Sequence, residues 1–435
     1  MLLKGQRPIH LTYCLNVHPG ESWAENLAAI EDKTMRVRAA VRAGLAGHGS
    51  EGSPIAKYRD REPHIAGGFG LGLRLSNRAA RELAEAEELK HFKDFLSANG
   101  LYVFTINGFP YGQFHHAAVK HEVYRPDWSQ PERAEYTNLL ADILAELLPE
   151  GVEGSISTVP VSYKGWLNDA GLEQACVNLA GVALHLHELR TRTGRDICLA
   201  LEGEPDCLLE TTDQAVAFLT GLFRHLGRQR LVSVAGMTRQ QAQGVLEEHV
   251  GVCADTAHVA VEFEDPAESL RQFQAAGIRI AKIQLSAALR VPRPANSAGQ
   301  LEAFCDPVYL HQTKVRNADG QVRSYADLPE ALAQMASHEC HGHGRAAHWQ
   351  DAGAAFQEEW RVHFHVPLFF EQVGGLESTS RLLDESFWLL LRGGACPNLE
   401  IETYTFTVLP PALAVQDVCE GIAREYLWVL GKFGA

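Results

Sequence analysis

Four oxygen-bearing side chains stand where apolar runs of the second half of the chain come to an end. Glu202 follows ICLAL, Asp255 follows VGVCA, Gln284 lies within KIQLS and Glu402 within LEIETYT. Three carboxylates and one amide make a hard donor set, suited to one divalent ion, Mn²⁺ or Mg²⁺ at ~2.0–2.2 Å, with Zn²⁺ a further option. Without a cation such a cluster repels itself and drives at least one carboxyl pKa upward. His258 sits three residues beyond Asp255 in CADTAH. That spacing can return an imidazole over the site, as a substrate partner or as an outer-shell group. Asp255 alone reads equally well as a helix N-cap; four such ends in order shift the reading toward a site.

Other residues carry two readings each. Glu204 and Glu400 lie two residues from Glu202 and Glu402 and share a strand face with them, so either can replace its neighbour as ligand. His363 and His365 alternate in VHFHVP and point to one side, as binders of substrate oxygens or of a second metal, or as structural imidazoles satisfied by carbonyls. In NGFPYGQFHH, Asn107 and His115 bring amide and imidazole groups toward a substrate; the alternative is a turn packed on its own aromatics. HECHGHGRAAH, His338 to His348, matches no standard zinc spacing and reads as a solvated loop.

These residues need elements that bring them together. Short β-rich runs alternate with amphipathic stretches along the whole chain, the pattern of βα units around a parallel sheet. Nine strand candidates occur: HLTYCLN, GLGLRL, LYVFTING, SISTVP, ICLALE, VGVCAD, IRIAKIQLS, VHFHVPLF and LEIETYTF. A (β/α)8 TIM barrel needs eight, with its chemistry at the carboxyl ends of the strands. The region 287–361 is too long for an ordinary connection. It reads as an insertion or irregular lid over the carboxyl-terminal mouth, within one domain spanning 1–435. A doubly wound sheet is disfavoured, since GGFGLG precedes a strand where a dinucleotide fingerprint must follow one.

The formal charge of -15 repels phosphate backbones and anionic membranes, so neither nucleic acid nor membrane is expected as a partner. Nine cysteines without CxxC spacing suggest a reducing compartment, and no signal-like or bilayer-length apolar run is seen, so a cytoplasmic location is expected.

ALEGEP, CADTAH, KIQLS and LEIETYT, in that order, resemble the xylose isomerase-like TIM-barrel superfamily of sugar isomerases, epimerases and endonuclease IV-type enzymes. The resemblance implies one divalent metal held by Glu202, Asp255, Gln284 and Glu402; in an isomerase built on it, Glu202 and Glu402 are the expected base and acid. HLTYCLNVHPGESW, FTINGFPYGQFH, ISTVPVSYKGW, RVHFHVPLF and LEIETYTF are similar to EboE-type metabolite traffic proteins over nearly the whole chain. That similarity implies processing or delivery of a small metabolite precursor, with association among products of the same gene cluster. The reading is a metal-dependent isomerase or epimerase acting on a sugar-like or cyclic polyol metabolite, with His258, Asn107, His115, His363 and His365 at the substrate. Its rivals are a non-catalytic metabolite-binding protein and an endonuclease IV-like phosphoesterase.

Overall fold

The computed structural model describes residues 1–47, 68–112, 120–341 and 358–434. Eight strands, buried throughout except for Pro8, run parallel: β1 (Pro8–Tyr13), β2 (Phe69–Arg74), β3 (Leu101–Asn107), β4 (Gly154–Thr158), β5 (Ile197–Glu202), β6 (Val250–Asp255), β7 (Ile280–Leu285) and β8 (Asn398–Ile401). Each pairs with the next in sequence from β2 onward, and β8 returns to β1 with Asn398 opposite His10. A parallel bridge between Cys14, just past β1, and Gly72 in β2 closes the ring. The fold is therefore a (β/α)8 barrel. Leu2–Lys4 adds one antiparallel strand beside β1.

The apolar runs are buried because helices cover the outside of the barrel while side chains fill its inside. Every residue of β5, β6 and β7 is buried. Local chemistry starts the helices where it should: the Ser76 hydroxyl accepts from Ala79 N at the head of Asn77–Leu83, and Asn168 caps Asp169–Thr193. The barrel interior is unusually polar. Ser155 donates to Thr105 at 2.8 Å, Lys282 Nζ lies 3.1 Å from the Ser157 hydroxyl, and Lys282 pairs with Glu400.

One of the nine strand candidates does not belong to the barrel. VHFHVPLF forms Glu359–His365, the third strand of a separate six-stranded antiparallel sheet. In that sheet it lies between Thr313–Arg316 and Ala288–Val291, which leaves β7 almost at once. The sheet continues to Leu376–Ser378, beyond residue 361. It caps the mouth through a buried cation: Lys314 Nζ reaches Asp206 at 3.0 Å and Glu262 at 3.2 Å and also pairs with Glu210, all on the barrel side. No helix among the described residues is long and apolar enough to cross a membrane.

Candidate functional site

Asp255 ends β6 and heads the helix Thr256–Val261. Its two oxygens divide the work. Oδ1 accepts from Ala257 N at 2.7 Å, His258 N at 3.1 Å and the Ser286 hydroxyl at 2.6 Å. Oδ2 is buried without a hydrogen-bond partner among the described residues. The N-cap reading of this residue is thus realised on Oδ1, and Oδ2 takes no part in the cap.

Glu202, at the end of β5, and Glu402, just past β8, meet Asp255 over the barrel. Ligand atoms of Glu202, Asp255 and His258 lie within 4.8 Å of one another, as do those of Asp255, His365 and Glu402. Glu402 Oε1 accepts from Asn16 Nδ2 at 2.6 Å and from Asn107 Nδ2 at 3.1 Å. Glu202 Oε2 is buried and unpartnered. Burial, then the neighbouring carboxylates, pushes both Glu202 and Glu402 well above the usual range. Burial would raise Asp255 too, yet the His258 and His365 imidazoles and the bonds to Oδ1 bring it below the ordinary value. We attribute its ionised state chiefly to the three hydrogen bonds, which hold whether or not the imidazoles carry charge.

The neighbours two residues apart differ in position. Glu400 points into the barrel interior toward Lys282, at 2.5 Å. Glu402, one step higher, is at the mouth. Glu204 also reaches the cavity, but beside Glu202 it faces Tyr124, whose hydroxyl donates to it at 2.8 Å. Burial lifts Glu204 to about 7. Gln284 lies level with Asp255 and Glu400 in the strand register, wholly buried, with Cys253 Sγ 3.6 Å from its Oε1 and its Nε2 unpartnered.

The three imidazoles gather above the carboxylates. The His258 ring lies 4.5 Å from that of His363 and 5.6 Å from that of His365, centre to centre. Burial first, then neighbouring imidazoles, depresses His363 well below its usual value. His365 is depressed to about 4, also by burial first. Both are neutral near pH 7.

The cavity below this roof encloses about 560 Å³, counting its open side. Phe109, Tyr124, Tyr309 and Tyr404 form apolar walls, and the buried Glu202, Glu204 and Glu402 line it as well. Asn107 lines it too, though its amide nitrogen is committed to Glu402 and its oxygen to Phe109 N. His115 and the side chains of His338 to His348 lie outside the described residues.

Sequence reasoning missed four contributors: Asn16, Tyr124, Gln312 and Tyr404. Asn16 offers a faint signal, an amide just past the first strand where Glu402 and Asp255 stand on theirs. Gln312 offers none, because its partners Tyr124, Pro205 and His363 are brought to it only by the folded inserted sheet.

No family model and no curated protein matches the chain. Solved structures similar to it include L-ribulose 3-epimerase, at 13% identity over 98% of this chain and 95% of that one, with a TM-score of 0.44. A xylose isomerase domain protein from Alicyclobacillus acidocaldarius subsp. acidocaldarius gives 12% identity, 98% and 99% coverage and a TM-score of 0.40. The IolI protein with a zinc atom gives 14% identity, 64% and 73% coverage and a TM-score of 0.35. Likenesses this distant assign no activity; the fold stands on the strand register of this chain and its chemistry on the side chains at the mouth.

Proposed function

We propose that the chain is a divalent-metal-dependent isomerase or epimerase acting on a small, uncharged, polyhydroxylated metabolite. One observation carries the reading: three carboxylates from three different strand ends, Glu202, Asp255 and Glu402, converge in a buried mouth with oxygens left unpartnered. Buried acids in contact are costly unless protonated or neutralised by a cation. The nearest buried ammonium, Lys282, is engaged with Glu400 below them.

The donor set fits a divalent ion. Glu202, Asp255 and Glu402 would hold it, and Gln284 would join them once its amide is turned to present oxygen in place of the unpartnered nitrogen. Bound there, an ion of this kind polarises a carbonyl and the hydroxyl beside it. Glu202 and Glu402 are the groups that take a proton from carbon next to that carbonyl and return one. Asn16 and Asn107 aim the Glu402 carboxyl by gripping one of its oxygens. Asp255 keeps its position because the helix it caps cannot move without breaking the cap. Phe109, Tyr124, Tyr309 and Tyr404 receive the C–H faces of a sugar-like or cyclic polyol ligand and keep water off the reacting carbon.

The test is solvent exchange. The Mn²⁺-loaded protein is incubated in D2O with ketopentoses, ketohexoses and cyclic polyol ketones, and deuterium at the carbon beside the carbonyl is read by NMR. Exchange that vanishes in Glu402→Gln, with the thermal unfolding curve retained, supports the assignment; undiminished exchange in that variant overturns it. Ligand binding without exchange in the wild type favours delivery over conversion, the role that similarity to EboE-type traffic proteins suggests.

A further inference from the structure

His258 comes from the barrel, on the first turn after β6, whereas His363 and His365 come from the inserted strand Glu359–His365. All three rings are anchored the same way. His258 Nδ1 lies 2.9 Å from Gly203 O, and His365 Nδ1 lies 2.7 Å from Glu402 O. A carbonyl only accepts, so both Nδ1 atoms carry the proton and donate. His363 Nδ1 lies 2.7 Å from Gln312 Oε1. The amide of Gln312 is oriented by its nitrogen, which donates to Pro205 O at 3.1 Å, so its oxygen is the acceptor and His363 Nδ1 also donates.

With the proton on Nδ1, the atom of each ring left to bind a metal is Nε2. The Nε2 atoms of His363 and His365 are buried and have no hydrogen-bond partner among the described residues. The ligand nitrogens of His258, His363 and His365 lie within 4.8 Å of one another. Three buried imidazoles with ligand nitrogens this close, each held at Nδ1 by an oxygen, are arranged as metal-binding imidazoles are. Among the described residues no side chain hydrogen-bonds these two nitrogens, and burying them unpaired costs desolvation. Neutral imidazole selects borderline ions of the zinc class, in contrast to the hard oxygen set beside it.

We infer that His258, His363 and His365 form a second metal site, for Zn²⁺ or a similar transition-metal ion, completed by the inserted sheet and adjoining the carboxylate site of Glu202, Asp255 and Glu402. It goes beyond the isomerase reading and rests on the imidazole nitrogens, two of which also lie within reach of the carboxylates: His258 of Glu202 and Asp255, and His365 of Asp255 and Glu402. The mouth then has two attachment points of different hardness, one built by barrel strands and one by the insertion.

The experiment titrates the full-length, chelator-stripped protein with Zn²⁺, measures bound metal by plasma mass spectrometry, and reads the zinc-edge X-ray absorption of the wild type. The expected result is one tight equivalent with several imidazoles in its shell. His363→Asn with His365→Asn loses that equivalent. Glu202→Gln retains it, so failure of the carboxylate site registers separately. A variant with His338, His341, His343 and His348 all changed to Ala also retains it. Zinc content unchanged in the His363/His365 variant, loss of the equivalent in the 338–348 variant, or a wild-type shell without imidazoles each overturns the inference. The absorption measurement needs no variant, so it decides the matter even where a substituted chain fails to fold.

Discussion

Lys282 Nζ lies 2.5 Å from a carboxylate oxygen of Glu400, with both side chains wholly buried inside the barrel. This pair sits beneath the mouth and engages Glu400 below the carboxylates of Glu202, Asp255 and Glu402. It also uses the charge of Lys282 at a depth from which it balances only part of the carboxylate cluster.

Breaking the pair from one side should be costly, because it strands a charge in low dielectric. Lys282→Met is expected to destabilise the fold by ~3–5 kcal/mol, and Lys282→Met with Glu400→Leu to recover much of that loss. Urea unfolding of the two variants checks this; a double variant as unstable as the single would refute it.

Gly72 is required by the same acid. A Cβ at residue 72 would meet Glu400 Oε1 at 1.8 Å, and Thr12 Cγ2 at 2.9 Å. Gly72→Ala should therefore cost at least ~1–3 kcal/mol by overpacking. The Tm of the variant measures it, and an unchanged Tm would show that Glu400 can turn away freely.

In the proposed reaction Asn107 should act through Glu402, to which it donates. Asn107→Ala removes one of two donors to Glu402 Oε1. The expected effect is a kcat lower by about five- to tenfold, the equivalent of ~1 kcal/mol, with KM little changed. Steady-state kinetics on whichever substrate shows solvent exchange distinguishes this from direct substrate binding, which would raise KM.

Glu425 should set part of the pH dependence of stability. It is wholly buried in the last helix, accepting from Leu368 N at 3.0 Å and the Thr403 hydroxyl at 2.7 Å. Burial raises its pKa from 4.5 to about 7. Between these values the folded protein keeps a proton that the unfolded chain has released, so the contribution is fully present below about pH 4.5 and is lost as pH rises through 7. From pH 5 to pH 8 the wild type should lose on the order of 1–3 kcal/mol that Glu425→Gln does not. Parallel pH profiles of unfolding free energy for the two proteins would count against it.

The inserted sheet should depend on Lys314, which holds Asp206, Glu210 and Glu262 on the barrel side. Lys314→Met leaves those acids facing one another and should loosen the sheet locally. Faster amide hydrogen exchange in Thr313–Arg316 and Glu359–His365, with the barrel strands unaffected, is the expected signature.

Much of the barrel is legible in the chain because strands buried on both faces must be apolar throughout and then stop where the mouth meets solvent. ICLALE and VGVCAD become β5 and β6 with their acids at the carboxyl ends. VHFHVPLF carries the same local signal and reads either as the last strand of the insertion or as an irregular returning segment; it is a strand of the inserted sheet, antiparallel to Thr313–Arg316 and Ala288–Val291. A strand's composition records that it is buried, not which sheet buries it.

By itself, then, the amino-acid sequence determined the alternation of strands and helices, the order of the acids along them and the hardness of the donor set. Tertiary structure alone decided that Glu400 lies below and Glu402 at the mouth, since a period of two residues places both on one face and only the packing of Lys282 separates their depths. It also decided that Asp255 offers one oxygen and spends the other on its helix. And it alone brought His363 and His365 over His258, because contacts between residues about a hundred positions apart depend on how the inserted sheet docks, and no local pattern encodes that.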